Sequence, residues 1–455
     1  MSDSDPDFEG PEARQLTALL ETAPTFGDGP GLHRTAELLD RLRIDPFLDR
    51  LDAVKITGSN GKGSTSAVLD ALLRELGVRT ALFTSPHLVS PAERIRIDGS
   101  PIGPASWRRA WRRIDELTST QEQAGAFERL TAMAVERAAA ADVETVVAEA
   151  GIGGRLDPTR AIPGRVVGLT SLDLEHSALL GDSLELIAYD KLDLCPDGGV
   201  VVLGSWRELH LPPTLFRRIT GYLRVRGVEA RPVDAEASLL DARYVDGRMV
   251  VEMEIWGERL GAVELAMAGR FQWSNAVVAL LLADAWAERH RPDLDRRALL
   301  AAWRRVVARV ALPGRFEKAA ATPPVVIDFC HTPRAAQAVA DLAKESFRGQ
   351  PIMLVLGVSA DKELTAVAGP LLKVADSAVI TRASRRGAST EALRSVARKT
   401  LPDERLHIAE PVSAALHLAR DWAQGRGGAV LVAGGLFLGV EARGGLSRAE
   451  STVAG

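Results

Sequence analysis

Residues 54–65 (Val54-Lys55-Ile56-Thr57-Gly58-Ser59-Asn60-Gly61-Lys62-Gly63-Ser64-Thr65) run a short apolar strand into a glycine-rich turn with one lysine, and a helical pattern follows at once over 66–73. Strand, glycine turn and helix N-terminus together offer backbone N–H groups and a positive dipole end, to which Lys62 adds a full charge. That chemistry suits a nucleoside triphosphate. The usual P-loop spacing places a glycine five residues before the Gly-Lys pair and a hydroxyl directly after the lysine. Here Ile56 holds the first position and Gly63 separates Lys62 from Ser64, so the loop is a variant. A glycine turn without a ligand is the plainer alternative.

Other chemistry-bearing residues stand at predicted strand ends, the edge where ligands of open α/β sheets gather. Ser85, in Thr84-Ser85-Pro86-His87-Leu88, could reach a metal or a phosphate, or simply cap the turn before Pro86. Glu149 ends the apolar run Val146-Val147-Ala148 and precedes Gly151, Gly153 and Gly154. A carboxylate there suits Mg²⁺, which prefers hard oxygen ligands, although a solvated glutamate reads equally well. His176 follows Asp173 and Glu175 after a further apolar run, and Lys191 by itself reads as a solvated helix lysine. Asp328 and His331 repeat the strand-end pattern before Pro333, as do Asp361 and Lys362 after Gly357. Cys330 reads as a packing thiol; no Ser-His-Asp or Cys-His order and no zinc spacing is evident.

The elements that must position these residues follow from periodicity. Strands are predicted over 53–57, 80–84, 145–149, 166–171 and 200–203. Between them come helices after the loop and over 107–117 and 127–140, an alternation that favours a parallel sheet covered on both faces. Residues 225–270 carry alternating runs and few helix formers, and predict an antiparallel insert or edge. Helices are expected over 274–290 and 296–309. Pro313-Gly314 marks the expected boundary of a second α/β domain, with strands over 325–328, 352–357, 377–381 and 429–433. Residues 1–10 read as a disordered acidic tail, and 447–455 as a second tail.

A chain of 455 residues is too long for one ordinary core. Its net charge of −4 and pI near 6.1 argue against a general nucleic-acid binder. Two cysteines cannot build a disulfide framework. The first residues lack the basic and apolar regions of a signal peptide, and no apolar run reaches the roughly 18 residues of a membrane span. A cytoplasmic protein with no membrane partner is expected.

Taken together, the chain resembles the folylpolyglutamate synthase/dihydrofolate synthase family of the Mur ligase superfamily, from Gly31-Leu32-His33-Arg34 to Gly434-Gly435-Leu436-Phe437. The motifs that carry the likeness are Thr57-Gly58-Ser59-Asn60-Gly61-Lys62-Gly63-Ser64, Ser85-Pro86-His87-Leu88 with Glu93-Arg94-Ile95, and Phe127-Glu128-Arg129-Leu130-Thr131-Ala132. Further matches are Gly153-Gly154-Arg155-Leu156-Asp157, His176 with Leu179-Leu180-Gly181-Asp182, Gln272 with Asn275-Ala276, and Pro313-Gly314-Arg315. The resemblance implies a Mur-ligase-like α/β fold: a large P-loop ATP-binding domain with a mainly parallel sheet over 1–312 and a smaller Rossmann-like domain over 313–455.

By the same resemblance, Asn60, Gly61, Lys62, Gly63 and Ser64 would hold the ATP phosphates. Ser85 and Glu149 would bind one Mg²⁺, and Glu149 with His176 would help bind a second. Lys191 matches the lysine that becomes carbamylated, which would turn a cation into an oxygen ligand. Asn275, Arg315, Asp328 and His331 fall on positions that contact ATP when the two domains close. Lys62, Glu149, His176 and Lys191 would carry the catalysis. The implied reaction activates a carboxylate as an acyl phosphate and couples it to an amino group, that of glutamate being expected, on a monomeric enzyme.

Departures from the family pattern surround these positions. Asp328-Phe329-Cys330-His331-Thr332-Pro333 stands for Asp-Gly-Ala-His-Asn-Pro, and Glu175-His176 for Asp-His. Asp157-Pro158-Thr159-Arg160 stands for Asp-Ala-Thr-Asn, and Asp190-Lys191-Leu192-Asp193 for Glu-Lys-Ala-Gly. Phe329 in place of a glycine is expected to reshape a substrate pocket. Two further readings stay open: a ligase joining an amino acid to a non-folate, for example aromatic, acid, and a nucleotide-binding regulatory protein without ligase activity.

Overall fold

The computed structural model describes residues 11–24, 27, 31–118, 123–245 and 248–453, with side chains through Leu446. The expected tail over 1–10 lies outside them. The chain forms two compact units. The first runs through Asp241 and takes in Glu252–Val263 and Phe271–Val310; the second comprises Ala242–Val251, Glu264–Arg270 and Ala311–Gly455.

Eight strands build the sheet of the first unit: β1 (Val54–Thr57), β2 (Thr80–Phe83), β3 (Ile95–Ile97), β4 (Ser100–Pro101), β5 (Thr145–Glu149), β6 (Val166–Leu169), β7 (Val200–Leu203) and β8 (Glu229–Pro232). Their order is β4-β3-β2-β5-β1-β6-β7-β8. Pairings from β2 to β8 are parallel, whereas β3 and β4 form an antiparallel edge. Central strands β1, β2, β5 and β6 are buried at every residue, as a parallel sheet covered on both faces requires. Helix Pro104–Leu117 buries Trp107, Ala110, Trp111 and Ile114 at helical spacing, the two indoles stacked 5.1 Å apart.

The stretch over 225–270 expected as an insert or edge supplies both. Residues 229–232 are the parallel edge β8 of the main sheet. The insert proper is a three-stranded sheet of β9 (Ala237–Val245), β10 (Arg248–Ile255) and β11 (Glu258–Leu265), ordered β11-β10-β9. The two-residue link Trp256-Gly257 makes β10 and β11 antiparallel. Met249, Val251, Met253 and Ile255 face inward along β10.

The second unit holds a six-stranded sheet of β12 (Glu317–Ala321), β13 (Pro324–Ile327), β14 (Ile352–Leu356), β15 (Ser377–Ile380), β16 (Leu406–Ile408) and β17 (Ala429–Ala433), ordered β12-β13-β17-β14-β15-β16. Only β12 is antiparallel. Residues 447–453 continue the helix Leu436–Val453 and are no tail. Leu438, Ala442 and Leu446 anchor that helix one turn apart in the core, and helix-compatible residues carry it onward.

Phe329 is buried in the core of the second unit. It is 3% exposed, and its ring fills the place of a side chain at two glycines. A Cβ built on Gly314 or on Gly439 would meet ring carbons at 2.3 Å. The aromatic residue that departs from the family pattern is therefore core packing, admitted by glycines on either side. This interlock predicts an inverted propensity effect. Gly439→Ala inside a helix should ordinarily gain about 1 kcal/mol, but here it should lose about 1–3 kcal/mol by overpacking. In a Phe329→Ala background the same change should become neutral or stabilising. Urea denaturation of the four proteins checks this, and equal effects in both backgrounds would refute the interlock.

Candidate functional site

Thr57 ends β1, and the chain turns through Gly58 and Gly61 into helix Lys62–Glu75. Both glycines have positive φ, +141° and +88°, which L side chains rarely adopt. Neither has room for one: a Cβ on Gly58 would lie 2.0 Å from Thr170 Oγ1, and one on Gly61 2.4 Å from Asn275 Oδ1. The end of β6 grips the loop from one side. Thr170 Oγ1 and Ser171 Oγ donate to the Asn60 carbonyl at 2.6 and 2.9 Å, Asn60 N donates to Ser171 Oγ at 2.7 Å, and Ser59 N to the Ser171 carbonyl at 3.0 Å. Helix Gln272–His290 closes the other side, with Thr65 Oγ1 donating to the Asn275 carbonyl at 3.3 Å.

Lys62 arches back over the loop and donates to the Gly58 carbonyl at 2.7 Å. A rigid turn, a fourteen-residue helix beginning at Lys62 and a lysine on the same turn fit a polyphosphate.

Glu149 faces this turn from β5, whose register sets it beside Ile56 of β1. The carboxylate is buried at 4% exposure, and its Oε2 accepts from Ser85 N at 3.2 Å. A Cβ on Gly63 would sit 3.7 Å from that oxygen. The extra glycine of the variant loop thus keeps the space in front of the carboxylate clear. Ser85 rides on a loop shaped by Glu93, which accepts from the N–H groups of Leu88, Val89 and Ser90 at 2.9, 2.8 and 2.7 Å. Arg94 Nε adds a bond to His87 Nδ1 at 2.8 Å. Glu149 with the Ser85 loop and an incoming phosphate is the donor set magnesium favours, one carboxylate among neutral and phosphate oxygens.

Asp157 ties the glycine run together, accepting from Gly151 N, Ile152 N and Thr159 N at 2.9, 3.1 and 2.9 Å. Burial pushes its carboxyl above the usual range. Asp190 Oδ1 accepts from Gly154 N at 2.9 Å and fills the space beside Gly153, whose φ is +69°. Next to it, Lys191 is 1% exposed and reaches Glu175 Oε1 at 3.0 Å. Burial, then the charge of Lys62, lowers the Lys191 ammonium below its ordinary value. Burial alone would raise Glu175, but Lys191, Lys62 and a bond from Ser59 together hold its carboxyl low. His176, one residue on, is exposed in the left-handed region at φ +49°. Among the described residues no three His, Cys, Asp or Glu side chains gather as a metal cluster.

In the second unit, Asp328 pins two turns, accepting from Phe316 N and Cys330 N at 2.8 Å each. Burial raises its carboxyl to about 6 against the lowering charge of Arg315. His331 lies exposed two residues beyond Phe329, its Nδ1 3.2 Å from that residue's carbonyl.

Sequence reasoning missed several participants. Thr170 and Ser171 carry a signal, two hydroxyls at a strand end. Glu175 reads in the sequence as an acid beside His176 and as a departure from the family pattern, whereas the structure pairs it with Lys191. Gln272 stands in the sequence as part of a motif with Asn275, and the structure bonds the two.

Residues 314–436 match the family model described as Mur ligase, glutamate ligase domain. The dihydrofolate synthase/folylpolyglutamate synthase of Mycobacterium tuberculosis is 33% identical over 450 residues, covering 90% of this chain and 89% of that protein. Among solved structures, M. tuberculosis folylpolyglutamate synthase complexed with ADP superposes with a TM-score of 0.85 at 30% identity, over 96% of this chain and 98% of that one. The same synthase complexed with ADP and AMPPCP gives a TM-score of 0.84 at 29% identity with the same coverage. The chain therefore belongs to the folylpolyglutamate synthase/dihydrofolate synthase family of Mur ligases and is a ligase that forms carbon–nitrogen bonds.

Proposed function

We propose that this ligase uses ATP to activate the carboxylate of a pteroate or folate and joins it to the amino group of glutamate. The observation that carries the reading is the Gly58–Ser64 turn with Lys62, faced by the buried Glu149 across the side-chain-free Gly63. Relatives named for folate ligation, one of them solved with ADP, support it. Among the described residues no helix is long and apolar enough to cross a membrane. A cytoplasmic, monomeric enzyme acting on small molecules is part of the proposal.

The chemistry has two steps. A substrate carboxylate oxygen attacks the γ-phosphorus of ATP, breaking its bond to the bridging oxygen and giving an acyl phosphate and ADP. The glutamate amine then attacks the acyl carbon, inorganic phosphate leaves and the nitrogen loses a proton. Lys62 would exchange the Gly58 carbonyl for a phosphate oxygen and offset the charge of the transferring group. Asn60, Gly61, Gly63 and Ser64 would line that phosphate, with Asn275 against the turn. Glu149 and Ser85 would hold Mg²⁺, which supplies charge neutralisation when bound. A second ion near Glu149 and His176 would need an oxygen from Lys191, which the family's carbamate provides and the free ammonium does not. Arg315, Asp328 and His331 are assigned to ATP by resemblance.

Three outcomes are expected. Mass spectrometry of reactions with ATP, Mg²⁺ and glutamate should give a glutamyl adduct of dihydropteroate or tetrahydrofolate. Adducts on aromatic acids alone would overturn the folate reading, and no adduct at all would favour a regulatory protein. Lys62→Ala should lower kcat by roughly 10²–10³-fold, the range for losing one electrostatic contact to a reacting group. Its melting temperature should stay close to the parent's, because the hydrogen bond lost, to the Gly58 carbonyl, lies within the loop. Protein equilibrated with ¹³C-bicarbonate should show a carbamate carbon by NMR that Lys191→Arg removes; a wild-type spectrum without it would strike out the second-ion arrangement.

A further inference from the structure

Gln272 opens helix Gln272–His290 and is 2% exposed, a costly place for an amide unless it is bonded. Its Oε1 accepts from Asn275 Nδ2 at 3.0 Å, one helical turn on, and its Nε2 approaches Ser64 Oγ at 3.5 Å. Ser64 is 1% and Asn275 6% exposed, so the three side chains form one buried polar run from helix Gln272–His290 to the glycine turn. The backbone beneath them is held separately. Ser205 N donates to Ser274 Oγ at 2.9 Å, and Trp303 Nε1 to the Ala276 carbonyl at 2.8 Å.

We infer that Gln272 is a positioning residue for nucleotide binding, acting through Asn275. An asparagine amide can present either its oxygen or its N–H groups to the turn. Accepting from Nδ2, Gln272 selects one of the two and leaves Oδ1 against Gly61, where a side chain would sit only 2.4 Å away. The wall that Asn275 offers the turn is then an acceptor of fixed orientation, set before any ligand arrives. A buried amide without that partner would turn or draw in water, and the wall would lose its definition. Gln272 itself need not touch the nucleotide.

This inference rests on the ATP reading above, and the test separates the two. Isothermal titration with ADP would compare the parent, Gln272→Met, Asn275→Ala and the double variant. Methionine keeps the volume and removes the bonding. Gln272→Met should weaken ADP by about tenfold, the scale of one buried hydrogen bond with its partner left unpaired. The double variant should be no weaker than Asn275→Ala alone, because the two residues act as a unit. In turnover, KM for ATP should rise while kcat changes less than about twofold. Gln272→Glu, which restores an acceptor for Asn275, should recover part of the KM loss. A Gln272→Met protein that binds ADP like the parent overturns the inference, as do fully additive losses. A parent that binds no ADP defeats the ATP reading as well. Melting curves within about 4 °C of the parent exclude loss of folding as the cause.

Discussion

The first unit is organised around a backbone turn that leaves no room for side chains. Gly58 and Gly61 adopt positive φ under the hydroxyl of Thr170 and the amide of Asn275. The end of β6 and the start of helix Gln272–His290 have to sit where they do for the turn to exist. In return, the turn's peptide groups are bonded by Thr170 and Ser171 and cannot relax toward a more open loop. A turn of this kind suits a polyphosphate because its donors are oriented beforehand, so little reorganisation would remain when charge arrives. The elements that hold the turn are nearly all core: β1 has no exposed residue, and helix Gln272–His290 is buried along most of its length.

Charge is drawn into the same region by the same sheet. Lys55, inside β1, is 2% exposed and donates to the Ile162 carbonyl at 3.2 Å, and burial lowers its ammonium to about 8. Glu175 and Lys191 pair at 3.0 Å, and Lys62 acts electrostatically on both of them. A phosphate taking up Lys62 would therefore be felt at Glu175 and Lys191 without touching either. In the second unit Asp328 has a comparable position at the end of its strand, but its carboxylate is spent on two backbone N–H groups. That makes it a keystone of the Gly314–Phe316 turn whatever else it meets.

The departures from the family pattern divide by what surrounds them. Phe329 is absorbed by Gly314 and Gly439, an exchange of volume between neighbours that leaves the unit's core filled. Asp190 still serves the glycine run through Gly154 N. Glu175 reaches Lys191 directly. In each case a residue that looked like a change in the site is met by a partner supplied from another element.

How much of this could be read without coordinates depends on the range of the interaction. The glycine turn, Glu149 at the end of an apolar run and the two sheet-bearing units were legible, because strand and helix periods and the need for glycine at positive φ are local properties of the chain. The central strands were placed to within a residue or two, since burial on both faces leaves a continuous apolar signal. Edge strands β4, β12 and β16 were missed, with β3 beside β4: an edge needs only one partner and tolerates polar residues, so its sequence resembles a loop. Which side chains meet was decided by the tertiary structure alone. Asn275 lies more than two hundred residues from Gly61, Lys191 sixteen from Glu175, and Gly439 more than a hundred from Phe329. No periodicity encodes such pairs, because they are created by how the elements pack and by the volume each leaves for the other.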